Sequence, residues 1–341
     1  MTEPGAGPRI ARFEAAPPEW RGGVVAIGNF DGVHLGHQAV LEAARTEGTH
    51  LRAPAIALTF EPHPRSFFVP ERPLFRLTPA PLKAALAAAV GLRGMLVLPF
   101  DASLARTEAE SFVQEVLIGR LALRHAVVGF DFHFGHQRRG TPSFLQHAGL
   151  ASGFSVTVVR EIDADGEAVS STRVREALEK GDLAAANRLL GWTWSMSGEV
   201  VHGEARGRTL GFPTANMTPE PACGLRHGIY AARFTRADGT VHDGVASFGR
   251  RPTFDHGRPL LETFLFAFDG DLYGETALVS LVGWIRGEER FASAQALTAR
   301  MKEDAEAARR ILAATPPGPL DRKVAALWGP IHLQAAEAGL A

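Results

Sequence analysis

The chain has 341 residues, more than a single hydrophobic core usually accommodates, so we expect two domains. Hydrophobic residues make up 45% and charged residues 21%, and the net charge of −1 gives no electrostatic basis for coating nucleic acid or an anionic membrane. The single cysteine excludes an internal disulfide, and no stretch approaches the roughly 20 apolar residues of a membrane-spanning helix. These properties predict a cytoplasmic protein that binds neither nucleic acid nor membrane, and they leave its oligomeric state open.

The first half of the chain alternates between short apolar runs and helical patterns. The apolar runs are bounded by Gly, Pro or Asp, as buried strands are, and comprise Val24–Ile27, Ala55–Phe60, Met95–Phe100, Ala126–Phe130 and Phe154–Val159. The segments with apolar residues at helical spacing are Gln38–Arg45, Pro81–Val90 and Ala109–Leu121. This alternation predicts a doubly wound, Rossmann-like parallel sheet whose ligands bind at the carboxyl ends of the strands.

The second half begins with two predicted helices, Ser171–Glu179 and Leu183–Leu190, and then changes its period. Residues 194–285 contain segments of alternating polarity joined by glycine turns, which predict an antiparallel β-barrel. Two Asp-Gly pairs, at 238–239 and 269–270, predict hairpin turns because both residue types tolerate positive φ. A helix over Ser293–Leu312 is expected to pack on this barrel.

We therefore predict an α/β domain over residues 15–188 and a β-barrel domain with a C-terminal helix over residues 189–315. The remaining tail, residues 316–341, follows a proline-rich stop. It contains Trp328 and an apolar run near Ile331. An extra helix, an oligomer contact and a disordered end all agree with this pattern.

A first candidate site has the sequence GNFDGVHLGH, at Gly28–His37, between the first predicted strand and a helix. His34 and His37 are three residues apart at the helix N-terminus, so both face the same way and can donate to phosphate oxygens, assisted by the helix dipole. Gly32 and Gly36 allow the backbone to approach a triphosphate closely. A packing turn with two surface histidines is the alternative, and a zinc site is disfavoured because no further ligands follow at structural spacing.

A second cluster, VSSTRVR at Val169–Arg175, opens another helix with hydroxyl groups and places guanidinium groups one turn further on. A capping motif alone is common. Together with the His-x-Gly-His turn, it resembles the nucleotidylyltransferase superfamily, whose members attack the α-phosphate of a nucleotide and release pyrophosphate. The sequences TFEPHP at Thr59–Pro64 and GFDFHFG at Gly129–Gly135 make the chain similar to the adenylyltransferase module of bacterial bifunctional riboflavin kinase/FAD synthetases.

This resemblance implies that the N-terminal domain adenylylates FMN with ATP. It implies that His34 and His37 hold the ATP phosphates and that Asp131 lies close to the reacting groups. It also implies a set of ATP- and phosphate-binding residues, namely Gly28, Phe30, Asp31, Gly32, Gly36, Ser171, Thr172 and Arg175. Because the FMN phosphate is already ionised, this reaction requires positioning and charge stabilisation rather than a strong general base.

A second candidate site is the stretch Gly198–Asn216, in which repeated glycines and arginines suit a loop that wraps phosphates. A flexible surface loop is the alternative. The order GRTLGFPTAN, at Gly207–Asn216, resembles the riboflavin kinase signature. The resemblance implies that Thr214 and Asn216 coordinate the Mg²⁺ of MgATP, and both supply the hard oxygen ligands that Mg²⁺ prefers. It further implies phosphate binding by Gly203, Arg206, Gly207, Arg208, Gly211 and Pro213.

Two later motifs, GVASFGRRPTF at Gly244–Phe254 and LETF at Leu261–Phe264, are similar to further elements of the riboflavin kinase family. By this resemblance Glu262 is the base that accepts the proton of the riboflavin 5′-hydroxyl during attack on the γ-phosphate. Taken alone, a glutamate on a strand is more often a solvated residue. The resemblance covers residues 20–312 approximately, and implies that riboflavin is phosphorylated to FMN and FMN is adenylylated to FAD.

The sequence leaves three alternatives open. In the first, only one of the two modules is active. The second is a non-catalytic flavin-binding regulator, which normally needs a nucleic-acid-binding element, although the charge balance and the lack of a basic helix-turn-helix pattern argue against it. A general nucleotidylyltransferase with another substrate is the third, and it explains the first half of the chain but not the second.

Overall fold

A computed structural model describes residues 7–164, 166–203, 211–220, 222–250 and 259–340. The chain divides into two compact units. The first unit comprises Met1–Leu74, Pro79–Ser170 and Pro330–Ala341, and the second comprises Phe75–Thr78 and Ser171–Gly329. None of the described helices combines the length and the apolar character that crossing a membrane requires.

A six-stranded sheet forms the centre of the first unit, and all neighbouring strands in it are parallel. The strands are β1 (Arg9–Arg12), β2 (Val24–Ile27), β3 (Ala55–Glu61), β4 (Gly94–Pro99), β5 (His125–Gly129) and β6 (Ser155–Val159). Their order across the sheet is β1-β4-β3-β2-β5-β6, so the chain proceeds outward from β2 through β3 to β4 and then returns to β5 on the other side of β2. This reversal makes the β2/β5 boundary a topological switch point, where α/β sheets bind ligands.

Helices connect these strands, and α1, α3 and α5 among them correspond to the three predicted helical segments. They are α1 (Leu35–Leu51), α2 (Pro64–Phe68), α3 (Ala80–Val90), α4 (Ala102–Arg106), α5 (Ala109–Ser111, continued by the π-helical segment Phe112–Arg120) and α6 (Pro142–Ser152). A small hairpin of β7 (Asp163–Ala164) and β8 (Glu167–Ala168) follows the sheet. The five predicted strands are present, whereas β1 was not expected, because its two inner residues, Ile10 and Ala11, lie between arginines and give too short an apolar pattern.

The second unit begins with α7 (Ser171–Lys180) and α8 (Leu183–Leu190) and continues as a closed antiparallel barrel, which confirms the predicted fold class. Its strands are β9 (Ser195–Val201), β10 (Thr214–Met217), β11 (Gly228–Thr235), β12 (Val241–Arg250), β13 (Pro259–Leu265) and β14 (Thr276–Arg286). Around the barrel they follow the order β10-β13-β12-β11-β14-β9. Helix α9 (Ala294–Ala314) packs on the barrel through Ala308 and Leu312, which meet Ala231 and Val282 in one apolar cluster.

One predicted hairpin is present and the other is wrong. The Asp-Gly pair at 238–239 joins β11 to β12, which are paired, and Gly239 has φ +85° as the turn requires. The pair at 269–270 lies between β13 and β14, which are not neighbours in the barrel. Positive φ in that connection falls on Ala267 and Gly274 instead, so the connection is a longer loop between separated strands.

The tail after the proline-rich stop forms a helix, α10 (Pro319–Glu337). Asp321 fixes its start by accepting hydrogen bonds from the backbone N–H groups of Gly318 and Thr193, both at 2.8 Å. Its buried side chains recur at helical spacing, and they are Val324, Trp328, Ile331 and Ala335. Within the second unit Gly329 lies against the β11–β12 turn, where an added Cβ would be 1.8 Å from the carbonyl oxygen of Ala237.

We predict that Gly329→Ala destabilises the protein, although alanine is the better helix former. The added methyl group has to displace the backbone of Ala237, and such overpacking costs about 1–3 kcal/mol of unfolding free energy. Thermal unfolding followed by tryptophan fluorescence measures the effect. Gly287→Ala is the matched control, because a Cβ at Gly287 meets nothing within 4 Å. A Gly329→Ala protein as stable as the parent would contradict the close packing of α10 on the turn.

Candidate active sites

The first site is the turn between β2 and α1, at the switch point of the parallel sheet. Two hydrogen bonds attach the beginning of the turn to β3: the N–H of Gly28 donates to the carbonyl of Leu58 at 3.1 Å, and Thr59 Oγ1 donates to the carbonyl of Asn29 at 3.1 Å. The β3 strand therefore fixes where the turn leaves the sheet.

The backbone of this turn is strained. Phe30, Gly32 and Val33 have φ values of +49°, +89° and +39°. Glycine adopts such angles without difficulty, but a β-branched residue in the left-handed region is an outlier that the surrounding structure must enforce. Val33 is completely buried, and its packing supplies that enforcement. Strained residues held in this way are concentrated at active sites and ligand-binding turns.

The turn places the two predicted histidines face to face. The rings of His34 and His37 stack with 3.7 Å between centroids and an interplanar angle of 17°, and the edge of Phe30 meets His37 at 5.5 Å. His34 also caps α1, because its Nδ1 accepts the backbone N–H of His37 at 3.3 Å. Glycine suits position 36, where a Cβ would come within 3.2 Å of the His34 ring.

His37 is held as a neutral imidazole. Burial lowers its pKa well below the ordinary value, and electrostatic repulsion from His34, Lys83 and His63 lowers it further. Among the described residues its Nδ1 is buried without a hydrogen-bond partner. A buried polar atom without a partner has an energetic cost, which an incoming polar ligand can remove.

The other residues predicted for this site are distributed over both units. Asp31 is buried within the turn. Asp131, after β5, is exposed, and its Oδ1 lies 3.1 Å from the position that a Cβ on Gly129 would take. Ser171, Thr172 and Arg175 lie in the first turns of α7 and so belong to the second unit, where Arg175 Nε donates to the carbonyl of Phe75 at 2.6 Å.

The second site lies on the outer face of the barrel. Along β13, Leu261, Thr263 and Leu265 are buried in the barrel, so the alternating Glu262 and Phe264 lie on its outer side. The register of β10 and β13 sets Asn216 directly opposite Glu262. Directly opposite residues of antiparallel strands share a face, with Cβ atoms about 4.5–5.5 Å apart. The register therefore places the amide of Asn216 opposite the carboxylate of Glu262.

The oxygen atoms at this face fit a magnesium ion. Asn216 Oδ1 is buried and has no hydrogen-bond partner among the described residues. Gly203 lies against the same amide, since a Cβ there would be 2.4 Å from Asn216 Nδ2. Thr214 precedes Asn216 by two residues on the strand and therefore shares its face. Hydroxyl and amide oxygens are the hard ligands that Mg²⁺ takes in small numbers, leaving other positions for phosphates.

The remaining residues predicted for the second site are only partly described. Gly211 has φ +82° at the entry to β10, and Pro213 follows it. The ring of Phe212 meets that of Phe264 edge-on at 4.9 Å. Arg206, Gly207 and Arg208 lie outside the described residues.

The motifs did not single out Lys83, although it is the residue most unusual for its surroundings. It lies in α3, whose sequence APLKAALAAAV is buried on nearly every side, and is itself 2% exposed. Its Nζ is 2.9 Å from Glu61 Oε1. A single lysine in an otherwise apolar helix was the available signal, because lysine is almost never fully buried unless it is paired.

Comparison with known proteins relates each half of the chain to an enzyme. A family model described as FAD synthetase matches residues 16–173, and one described as riboflavin kinase matches residues 190–312. The bifunctional riboflavin kinase/FMN adenylyltransferase of Pseudomonas fluorescens is 42% identical over 297 residues, which cover 87% of this chain and 95% of that protein. The protein of the same name from Escherichia coli K12 is 38% identical over 308 residues, covering 90% and 98%.

A solved structure is also similar. It is the crystal structure of a protein named macrolide-efflux protein from Streptococcus pneumoniae, with a TM-score of 0.77 and 28% identity, covering 88% of this chain and 98% of that one.

The switch-point turn and the polar face of the barrel, together with the two family models, define a two-domain transferase. Its N-terminal part is a FAD synthetase domain and its C-terminal part a riboflavin kinase domain, so its substrates are flavins and ATP. The chain belongs to the bifunctional riboflavin kinase/FMN adenylyltransferase family. This membership confirms the family resemblance of the motifs, and it leaves a regulator or a general nucleotidylyltransferase without support.

We predict that the first unit loses stability in acid because of His37. Its folded-state pKa lies below the unfolded value of about 6.5, so the unfolded chain takes up a proton first. Stability is then complete above about pH 6.5 and falls as the pH drops from there toward the lowered pKa. Thermal midpoints of the parent and of His37→Asn, measured across this range, should converge in acid. His133→Asn, at an exposed ring, is the control. Parallel pH profiles for parent and His37→Asn would contradict the buried neutral ring.

Proposed function

We propose that riboflavin is phosphorylated at the outer face of the barrel around Glu262, and that the resulting FMN is adenylylated at the histidine turn. The observation that supports the assignment of the first reaction most directly is the register of β10 and β13, which sets Glu262 opposite Asn216. A base and a metal ligand on one face suit a transfer in which a hydroxyl attacks a phosphate held by a cation.

In the kinase reaction Glu262 accepts the proton of the riboflavin 5′-hydroxyl, whose oxygen attacks the γ-phosphorus of ATP; the bond from that phosphorus to the β,γ-bridging oxygen breaks, and ADP leaves. Thr214 and Asn216 would hold Mg²⁺, which when bound offsets the phosphate charge. Backbone N–H groups from the glycine-rich segment hold the phosphates. By family resemblance that segment supplies Gly203, Arg206, Gly207, Arg208, Gly211 and Pro213.

In the adenylyltransferase reaction an FMN phosphate oxygen attacks the α-phosphorus of ATP, and pyrophosphate leaves. His34 and His37 hold the phosphates, and the turn from Gly28 to Gly36 with Phe30, Asp31 and Gly32 surrounds them. Ser171, Thr172 and Arg175 bind the β- and γ-phosphates, while Asp131 lies near the reacting groups. The nucleophile is already anionic, so these residues position it and stabilise charge rather than remove a proton.

We further propose that the two catalytic domains span residues 15–188 and 189–315, and that the protein works in the cytoplasm without nucleic acid or membrane partners. A single cysteine, which cannot form an internal disulfide, suits a reducing compartment. The near-zero net charge agrees with small-molecule substrates.

We predict that Glu262→Gln abolishes FMN formation from riboflavin, since the amide cannot accept the proton, while FAD formation from supplied FMN continues. His37→Ala should do the reverse. Purified proteins are incubated with riboflavin or FMN, ATP and Mg²⁺, and the flavins are separated chromatographically over time. Each variant is thus the folded control for the other.

Two results would contradict this assignment of the sites. Loss of both reactions in Glu262→Gln would mean that the two sites are not independent. A parent rate of FAD formation in His37→Ala would mean that the adenylyltransferase site lies elsewhere.

We predict that Asn216→Ala raises the Mg²⁺ concentration needed for half-maximal FMN formation by on the order of tenfold, because it removes an oxygen ligand. Asn216→Asp keeps an oxygen at the same position and is the matched control. Titrations of Mg²⁺ at saturating ATP provide the measurement, with FAD formation from FMN as an internal reference. An unchanged Mg²⁺ requirement in Asn216→Ala would remove Asn216 from the metal site.

A further inference from the structure

Lys83 occupies a position that packing alone does not explain. Burying an ammonium group is costly unless it is paired and hydrogen-bonded, and a leucine or methionine would fill the same volume of α3 without that cost. The neighbouring residues of the helix are alanine, leucine and proline, and nearly all are buried. The charge of Lys83 therefore requires an explanation of its own.

The ammonium group is bound to the end of β3. Lys83 Nζ donates to Glu61 Oε1 at 2.9 Å and to Thr59 Oγ1 at 3.4 Å. Thr59 is itself completely buried, and its hydroxyl donates onward to the carbonyl of Asn29 at 3.1 Å. A continuous chain of hydrogen bonds thus runs from α3 through β3 to the beginning of the histidine turn.

The same charge acts on His37. The titratable groups that influence His37 are His34, His63 and Lys83, and Lys83 is paired with Glu61. Electrostatic repulsion from each of the three opposes protonation of His37. A cation held within a dry interior also attracts an anionic ligand more strongly than one in water does.

We propose that Lys83 is a positioning residue of the FAD-forming site: it fixes Thr59 and Glu61, holds the Asn29 end of the histidine turn through Thr59, and adds positive charge toward the phosphates. This inference rests on the assignment of His34 and His37 to the adenylyltransferase site.

The test compares Glu61→Gln with the double variant Glu61→Gln/Lys83→Met. Lys83→Met alone would take the ammonium group away from the nearly buried Glu61 carboxylate, a defect unrelated to the reaction. In the Glu61→Gln background the methionine substitution removes only the ammonium group and keeps its volume. The values of kcat and KM for ATP in FAD formation from FMN are measured for both proteins across the pH range in which histidine titrates.

We predict that the double variant has a kcat/KM for ATP lower than Glu61→Gln by on the order of 10- to 100-fold, the size of effect that misplaced catalytic groups produce. Its acid limb should also move to higher pH, because loss of the cation lets the pKa of His37 rise. Riboflavin phosphorylation by the same proteins should be equal. A purely structural role for Lys83 would not move the acid limb.

A second variant, Thr59→Val, tests the hydrogen-bond chain without changing any charge. It keeps the shape of the side chain and removes the hydroxyl that joins Lys83 to Asn29. We expect a lower kcat/KM for ATP with an unchanged acid limb. This variant keeps the proposal testable if the double variant does not fold.

The outcomes distinguish a wrong assignment of the adenylyltransferase site from a wrong role for Lys83. Identical kinetics and pH profiles for Glu61→Gln and the double variant would overturn the role of Lys83, as would parent kinetics in Thr59→Val. His37→Ala is assayed in parallel. If His37→Ala forms FAD at the parent rate, the site itself has been assigned wrongly. If His37→Ala is impaired while Glu61→Gln and Glu61→Gln/Lys83→Met have the same kinetics, only the inference about Lys83 fails.

Discussion

On the proposed assignment both sites bind polyphosphates on a chain whose net charge is −1, and this constraint bears on how each is built. Without a global positive field, local geometry must supply the attraction: backbone N–H groups, a helix N-terminus and a few cations held in place. Such groups stabilise a phosphate only when they point toward it, so each site depends on a rigid framework. In the first unit that framework is the attachment of the histidine turn to β3, through the Gly28 and Asn29 hydrogen bonds.

The two units achieve rigidity by different means. In the parallel sheet the turn is forced into an unfavourable backbone conformation, with Val33 buried at positive φ, and two stacked imidazoles follow from that geometry. In the barrel the pairing of β10 with β13 has an unbroken register, and that register places Asn216 opposite Glu262. A one-residue slip of β10 against β13 would move Asn216 to the opposite face, so the buried Ala215 and Thr263 also secure the polar pair.

The sequence pattern predicted those helices and strands that are stabilised by residues within the same segment. The buried strands, the helix starting near His34 and the two helices after Ser171 follow from apolar spacing and caps. Elements that depend on residues distant in the sequence could not be predicted in this way. Strand β1 pairs with β4, and helix α10 buries Trp328. The Asp269-Gly270 turn failed for the same reason, since a turn residue does not reveal that β13 and β14 have other neighbours. Lys83 was overlooked because its partners, Thr59 and Glu61, come from another element.

The chemistry of the two proposed nucleophiles accounts for the different groups that the two sites present. In the proposed kinase reaction the riboflavin hydroxyl loses its proton as it attacks, which calls for a carboxylate such as Glu262 on the partly exposed outer face of the barrel. An FMN phosphate is already anionic and needs only fixed, desolvated donors and cations. In this proposal His37, half-buried with its Nδ1 shielded from water and its pKa lowered by burial, is a donor already held in place by its stacking on His34 when the phosphates arrive.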